Sequence, residues 1–233
     1  MNRRYFTLVA IGGAALFAAA VSRADQAPTS WDGLVLVPSK KIKLVYLAPG
    51  ADFRVYTKVM IDPTEIAFDQ KWLREYNDQA AFGNQISSYD LRNAVASGVK
   101  DASDVFEKAF ADGGYPVVTA PGPDVLRVRT AIVNIQVAAP DLITSTGRTF
   151  STSRAAGAAT FVIEARDSES GAVLGRAVDA RLAGDDGIIL RNSVTNWSDF
   201  RELAKTWAKI SVAGLNELKT LSPVSVDGSA SAK

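Results

Sequence analysis

Two runs decide the fold: residues 125–137, VLRVRTAIVNIQV, and residues 160–183, TFVIEARDSESGAVLGRAVDARLA. Read with a period of two, the stretch from Val125 to Ala183 gives three long antiparallel strands, the last two joined at Asp167-Ser168-Glu169-Ser170-Gly171. Leu126, Val128 and Ile132 share one parity in the first strand, Phe161, Ile163 and Ala165 in the second, and Leu174, Val178, Ala180 and Leu182 in the third. The opposite parity carries Arg127, Arg129, Glu164, Arg166, Asp179 and Arg181. Such alternation makes a sheet with one apolar face on a core and one charged face in or near water. Those six charged residues are the candidate binding face.

Along the first strand the apolar parity changes, because Ala131, Val133, Ile135 and Val137 are odd-numbered. Either a bulge near Thr130 resets the register or this half of the sheet is covered on both faces, and an available second helix favours double cover. Residues 88–113 are the clearest helix, with Leu91, Val95, Ala102, Phe106 and Phe110 on one stripe. Ser87 or Ser88 caps its start and Gly113-Gly114 ends it. A last helix is expected from about Ser198 to Leu221, with Asp199 and Glu202 in its first turn, where acids favour the positive end of the dipole.

Shorter signals fill the rest. Lys43 to Leu47 and Tyr115 to Thr119 read as short strands, and two extended pieces around 56–61 and 65–68 hinge at Asp62-Pro63, which belongs to an edge or a bulge because proline has no N–H to donate. Residues 70–88 are polar and read as a surface excursion, residues 139–155 as a mobile loop, Gly184 to Gly187 as a turn and Ile188 to Leu190 as a short strand. The fold expected is α+β: a mixed, largely antiparallel sheet of about five strands packed with two main helices.

The amino-terminal segment reads as an address. Arg3 and Arg4 precede an uncharged stretch from Tyr5 to Val21, and Ser22-Arg23-Ala24 puts small residues at a cleavage position. Residues 1–24 are therefore expected to be a signal peptide, and Arg3-Arg4-Tyr5-Phe6 fits the twin-arginine route as well as the general one. Residues 25–42 follow as a leader in which Trp31 pegs the chain to the core, residues 43–221 as one α+β domain, and residues 222–233 as a disordered Ser/Ala-rich tail. The expected location is periplasmic or secreted.

Composition then removes most chemistries. Taking Arg3, Arg4 and Arg23 from 26 basic residues leaves 23 against 25 acidic ones, so there is no electrostatic footprint for nucleic acid. The chain has no Cys, hence no disulfide and no lipidated cysteine, and no stable membrane anchor is expected after cleavage of the signal. It has no His, which excludes the usual base of Ser-His-Asp and Cys-His sites and the commonest zinc ligand. Ser97-Gly98-Val99-Lys100 has the spacing of a Ser-Lys nucleophile but lies mid-helix without partner motifs, and Asp185-Asp186 lacks a full loop of oxygen ligands. Glu164 and Asp179 could form a carboxylate pair across the hairpin, although Arg166 and Arg181 on the same face suggest ion pairing instead. No catalytic residue, metal ligand or cofactor site is assigned.

The motifs in order are Trp31-Asp32-Gly33-Leu34, then Val45 to Phe53 with Tyr56, then Val59 to Pro63, then Pro121-Gly122-Pro123-Asp124-Val125-Leu126-Arg127-Val128, and then Glu164 to Ser168 with Gly171 and Leu174. In this order the chain resembles the bacterial domain-of-unknown-function family 3313 over about residues 30–220. The resemblance implies an exported protein, in a family with many lipoproteins, and supplies no activity. The element order is also similar to small α/β modules of envelope-assembly lipoproteins, an analogy of fold only. The expected function is a non-catalytic binding or assembly module of the cell envelope, with an envelope protein or a glycan as partner. The alternatives are a carboxylate hydrolase, or a small-ligand-binding protein with a cavity between sheet and helices.

Overall fold

The structure is a computed structural model that describes residues 27–80, 85–137, 142–144, 147–149, 151–153, 156–184, 189–191 and 193–225. The proposed signal peptide, most of the Gly184–Gly187 turn and the tail beyond residue 225 lie outside the described residues.

Three long strands form the spine, as their alternation requires: β6 (Val125–Val137), β10 (Gly157–Asp167) and β11 (Val173–Ala183). The β10–β11 connection is closed by Asp167, whose carboxylate accepts from both the backbone N–H and the hydroxyl of Ser170 at 2.7 Å, and by Gly171 at φ 72°. Outside β11 lie β3 (Leu44–Leu47), β2 (Leu34–Val37) and β1 (Ser30–Trp31), all antiparallel. On the other side of the spine, β4 (Lys58–Ile61) and β5 (Glu65–Phe68) both run parallel to β6. The main sheet thus has eight strands in the order β1-β2-β3-β11-β10-β6-β4, with β5 also on β6. The α+β class and the mixed, largely antiparallel sheet are as expected, with more strands.

The Asp62-Pro63 hinge is the bulge that proline requires. Ile61 sits opposite Val128 and Glu65 opposite Ala131, so four steps along the edge strands match three along β6. The extra length is pinned by Thr64, whose N–H donates to Ser103 Oγ at 2.9 Å and whose hydroxyl bonds that of Thr130 at 2.8 Å.

Three helices are described: α1 (Gln70–Gln79), α2 (Ser88–Asp112) and α3 (Ser193–Leu221). The surface excursion expected at 70–88 is largely α1. Asp69 caps it by accepting from the N–H groups of Lys71 and Trp72, and Phe68, Trp72 and Tyr76 stack along it. Its polar composition hides a short aromatic stripe. Ser87 and Asp90 form a capping box on α2, and Gly113 ends it. The last helix starts five residues earlier than expected, so Asp199 and Glu202 lie beyond its first turn.

Both long helices lie on one face of the sheet. Phe161 of β10 is sandwiched between Phe106 of α2 and Trp207 of α3, with ring centroids 5.3 and 5.2 Å away and planes within 15°. Offset stacking of three fully buried rings locks the two layers together.

Several expectations need correction. The leader is not separate from the domain, because residues 30–37 form a hairpin of the main sheet. Asp32 and Gly33, at φ 52° and 82°, make its two-residue turn. Within the expected 139–155 loop, β7 (Leu142–Thr144) pairs with β8 (Gly147–Thr149). There too β9 (Ser151–Ser153) pairs with β12 (Ile189–Arg191), the short strand anticipated there. Residues 115–119 make a single bridge, Val117 to Val59. The first residues of the supposed tail are fixed, since Val224 is buried and exchanges backbone hydrogen bonds with Gly50 and Ala51.

The parity change in β6 comes from a bulge, but at Asn134 rather than near Thr130. Asn134 has φ 52°, and the register against β10 shifts there. Ala131 and Val133 before it face away from the helices, in a small cluster with Val162 and Val178, while Ile135 after it joins the main core. Double cover by a second helix is therefore not the reason.

Candidate functional site

The structure divides the six candidate residues between the two faces of the sheet. Arg127, Arg129, Glu164 and Arg166 lie together on the face away from the helices, in register across β6 and β10. Asp179 stands opposite Phe161, which points into the helix-facing core, and Arg181 follows it on that side. The cause is a register shift at the start of β11: Ala165 pairs with Gly175 but Arg166 with Val173, so Leu174 is an extra residue. Leu174 still packs on the core, which made the even positions look apolar, and beyond it the odd positions face the helices.

The position opposite Glu164 is Arg176, a residue the alternation pattern missed. Its guanidinium donates to Glu164 Oε2 at 2.7 and 2.9 Å, pairs with Asp32 Oδ2 at 3.0 Å and lies 4.1 Å from the centroid of the Trp31 ring. The other Glu164 oxygen accepts from Arg166 at 2.6 Å and lies 3.8 Å from Arg129. Arg129 in turn pairs with Glu65 at 3.2 Å and Asp62 at 3.5 Å, and Arg127 with Asp62 at 2.9 Å. Four carboxylates and four guanidiniums thus alternate across the face and neutralise one another. Burial pushes the Glu164 carboxyl up, but hydrogen bonds from Arg166 and Arg176, reinforced by their charge, outweigh it and hold the group below its ordinary value. A depressed, doubly paired carboxylate is neither a general acid nor a free base at neutral pH.

Asp179 is consumed on the opposite face. It accepts from Trp207 Nε1 at 3.0 Å, from Arg181 Nε at 2.6 Å and from the backbone N–H of Lys43 at 3.2 Å. Glu164 and Asp179 therefore cannot flank one substrate bond, and the carboxylate-pair hydrolase falls with that geometry. Ser97 and Lys100 fare no better: Lys100 Nζ donates to Asp104 at 2.6 Å, which raises the ammonium pKa, the wrong direction for a base. Asp185 and Asp186 lie outside the described residues, and among the described residues no cluster of acids fit to hold a metal ion occurs.

What remains is space between sheet and helices. One cavity of about 370 Å³ lies among Phe68, Trp72, Leu91, Ile135 and Phe200, beside Asp101, which accepts from Arg201 at 2.6 Å and Trp197 Nε1 at 3.1 Å. A second, of about 720 Å³, lies under the C-terminal half of α3 against β3, β11, β10 and β6. Its walls include Leu47, Phe53, Phe110, Ile163 and Leu215, and its polar edge is the β2–β3 connection with Ser39, Lys40 and Lys41, facing Glu217 of α3. Two glycines widen it. Gly214 sits mid-helix in α3, and a Cβ there would meet nothing within 4 Å; a Cβ on Gly175 would approach Leu47 to 3.0 Å. The sequence offered a cavity between sheet and helices as an alternative but not its lining, which comes from separated segments of the chain; the isolated Gly214 inside a helical stripe was the one local signal.

A two-layer α+β module, with an ion-paired outer sheet face and an apolar space under its helices, is the class these features define. The chain belongs to the DUF3313 family, described as a protein of unknown function, whose profile matches residues 30–210. No curated protein matches the sequence. Among solved structures it is similar to the PelC dodecamer from Paraburkholderia phytofirmans, at 12% identity and a TM-score of 0.34 over 73% of this chain and 95% of that one. It is also similar to a Xanthomonas campestris protein of family DUF330, at 12% identity and a TM-score of 0.35 over 74% of this chain and 88% of that one. A putative neuraminyllactose-binding hemagglutinin homologue from Helicobacter pylori gives 12% identity and a TM-score of 0.30 over 78% and 91%. No described helix is long and apolar enough to cross a membrane.

Proposed function

We propose that this chain is an exported, non-catalytic binding module of the cell envelope that encloses the apolar part of a ligand between its sheet and α3. The observation that carries the reading is the cavity of about 720 Å³, inside the range of about 300–1,000 Å³ typical of ligand sites and walled by aliphatic and aromatic side chains. The chemistry beside it supports binding over catalysis. The chain has no His or Cys, and the carboxylates first considered for catalysis are each held by arginines. The mutual neutralisation of the outer face argues against a strongly charged glycan or protein partner there. Export rests on the sequence of residues 1–24.

Titration with a neutral apolar fluorophore such as N-phenyl-1-naphthylamine tests the cavity. Saturable one-to-one binding, lost in Gly214→Trp and kept in Gly214→Ala, is expected; absence of binding to the folded wild type overturns the reading. For export, mass spectrometry of the protein recovered from periplasm should find a chain beginning at Asp25. An intact amino terminus confined to the cytosol refutes that part.

A further inference from the structure

We propose that the larger cavity takes a free long-chain fatty acid, its alkyl chain between sheet and α3 and its carboxylate at Lys40 and Lys41. The inference rests on the cavity reading above and adds the chemical class of the ligand. Apolar walls set the chain: Leu47, Phe53, Val128, Ile163, Leu215 and Leu218 offer no hydrogen-bond donor or acceptor from their side chains, so a sugar or peptide buried among them would leave its polar groups unsatisfied. The one wall hydroxyl on α3, Ser211, is already used, donating to Trp207 O at 2.8 Å.

The mouth sets the head group. Ser39 Oγ accepts from the N–H groups of Lys41 and Ile42, both at 3.3 Å, and this turn holds two successive lysines at the edge of the cavity. Lys40 makes no ion pair among the described residues. Lys41 reaches Glu217 only at 4.0 Å, with the two side chains 56% and 59% exposed, a contact weak enough for a ligand carboxylate to replace. Two cations against one acid leave the rim positive beside an apolar interior, which complements an anionic amphiphile.

Glycine placement supports an evacuated space. Gly214 costs α3 about 1 kcal/mol of helix propensity relative to Ala, yet a methyl group there would touch nothing within 4 Å. A helix that only needed to pack would gain from a side chain at this position, whereas a helix roofing a ligand needs the room.

Displacement of bound N-phenyl-1-naphthylamine from the full-length mature protein by saturated C8 to C16 carboxylates and by alcohols of matched length tests the proposal. Carboxylates are expected to tighten about fourfold for each methylene buried. They should bind more tightly than the alcohols, and a Lys40→Glu/Lys41→Glu double variant should weaken them about tenfold while leaving the alcohols unchanged. These lysines are exposed, so the variant should fold like the wild type. Equal displacement by acid and alcohol, or a carboxylate affinity indifferent to charge reversal, overturns the fatty-acid assignment while fluorophore binding leaves the cavity reading standing. If the fluorophore itself fails to bind, both fall. If phospholipid vesicles compete and free carboxylates do not, the ligand is a membrane lipid and the proposal is wrong.

Discussion

Replacing Glu164 by Gln is the sharpest test of the ion-paired sheet face. Glu164 and Arg176 are only 3% and 7% exposed, and the substitution keeps shape while deleting the charge that both Arg176 and Arg166 face. Breaking a buried pair costs about 3–5 kcal/mol, mainly because the surviving charge is left without compensation. The lower end applies here. Arg176 keeps Asp32, itself 67% exposed, and the Trp31 ring, while Arg166 keeps its 3.0 Å hydrogen bond to Gly171 O. A loss of about 3 kcal/mol should appear in urea unfolding, and calorimetry should show Tm falling by about 6–12 °C for a domain of this size. The pH dependence has a definite sign. The folded carboxyl titrates below the ordinary 4.5, so the unfolded chain binds the proton more readily, and the stabilisation is complete above about that pH. It is lost as pH falls through the lower folded value, where the wild type approaches the variant. A double variant Glu164→Leu/Arg176→Met should recover most of the loss, because an apolar pair of similar volume removes the desolvation cost together with the attraction. A cost below about 1 kcal/mol at pH 7, or a difference that stays constant into acid, would refute the claim that this pair is buried and coupled.

Three further outcomes follow from local geometry. Trp207→Phe keeps the ring stack on Phe161 but removes the indole N–H that Asp179 accepts, and should cost about 1–3 kcal/mol in urea unfolding; no loss would mean that bond is not made. Asp69→Ala removes the cap of α1 and should cost about 0.5–2 kcal/mol, read as faster amide exchange over residues 70–79. The Asp69 carboxyl is held below its ordinary 3.8, first by the Trp72 N–H, so in the wild type this protection should persist at pH 5 and fade only as pH falls through the lowered value. Asn134→Val forces a β-branched residue to φ 52° and should destabilise by about 1–2 kcal/mol, whereas Asn134→Gly should be near neutral; equal effects of the two would deny the left-handed bulge.

Much of the fold could be read from the chain because alternation and capping are local. The β10–β11 hairpin follows from its alternation and its Asp-to-Gly turn, and α2 follows from a single stripe between Ser87 and Gly113. The errors share a physical origin: one inserted residue reverses the facing of everything after it. Leu174 did this to β11 and Asn134 to β6, and neither insertion alters composition or hydrophobicity. Asp32-Gly33 was a different kind of miss. An Asp-Gly pair between Trp31 and Leu34 is a strong two-residue hairpin signal, obscured by reading Trp31 only as a peg. Here the signal existed.

The candidate site was less legible than the fold, for a reason visible in Asp179 and Arg176. Which of two charged residues on one strand faces a neighbouring carboxylate depends on register, and register depends on a bulge that only the paired strand reveals. Once Arg176 replaces Asp179 on the outer face, the surface read as a row of separate charges becomes a lattice of mutually paired ones, with Glu164 held by both Arg166 and Arg176. The same shift carries Asp179 inward to anchor Trp207, placing Gly175 and Ala177 on the helix-facing side where they line the cavity under α3. A single extra residue at Leu174 therefore decides two things at once: it sets Arg176 opposite Glu164 on the outer face and places Gly175 and Ala177 on the helix-facing side.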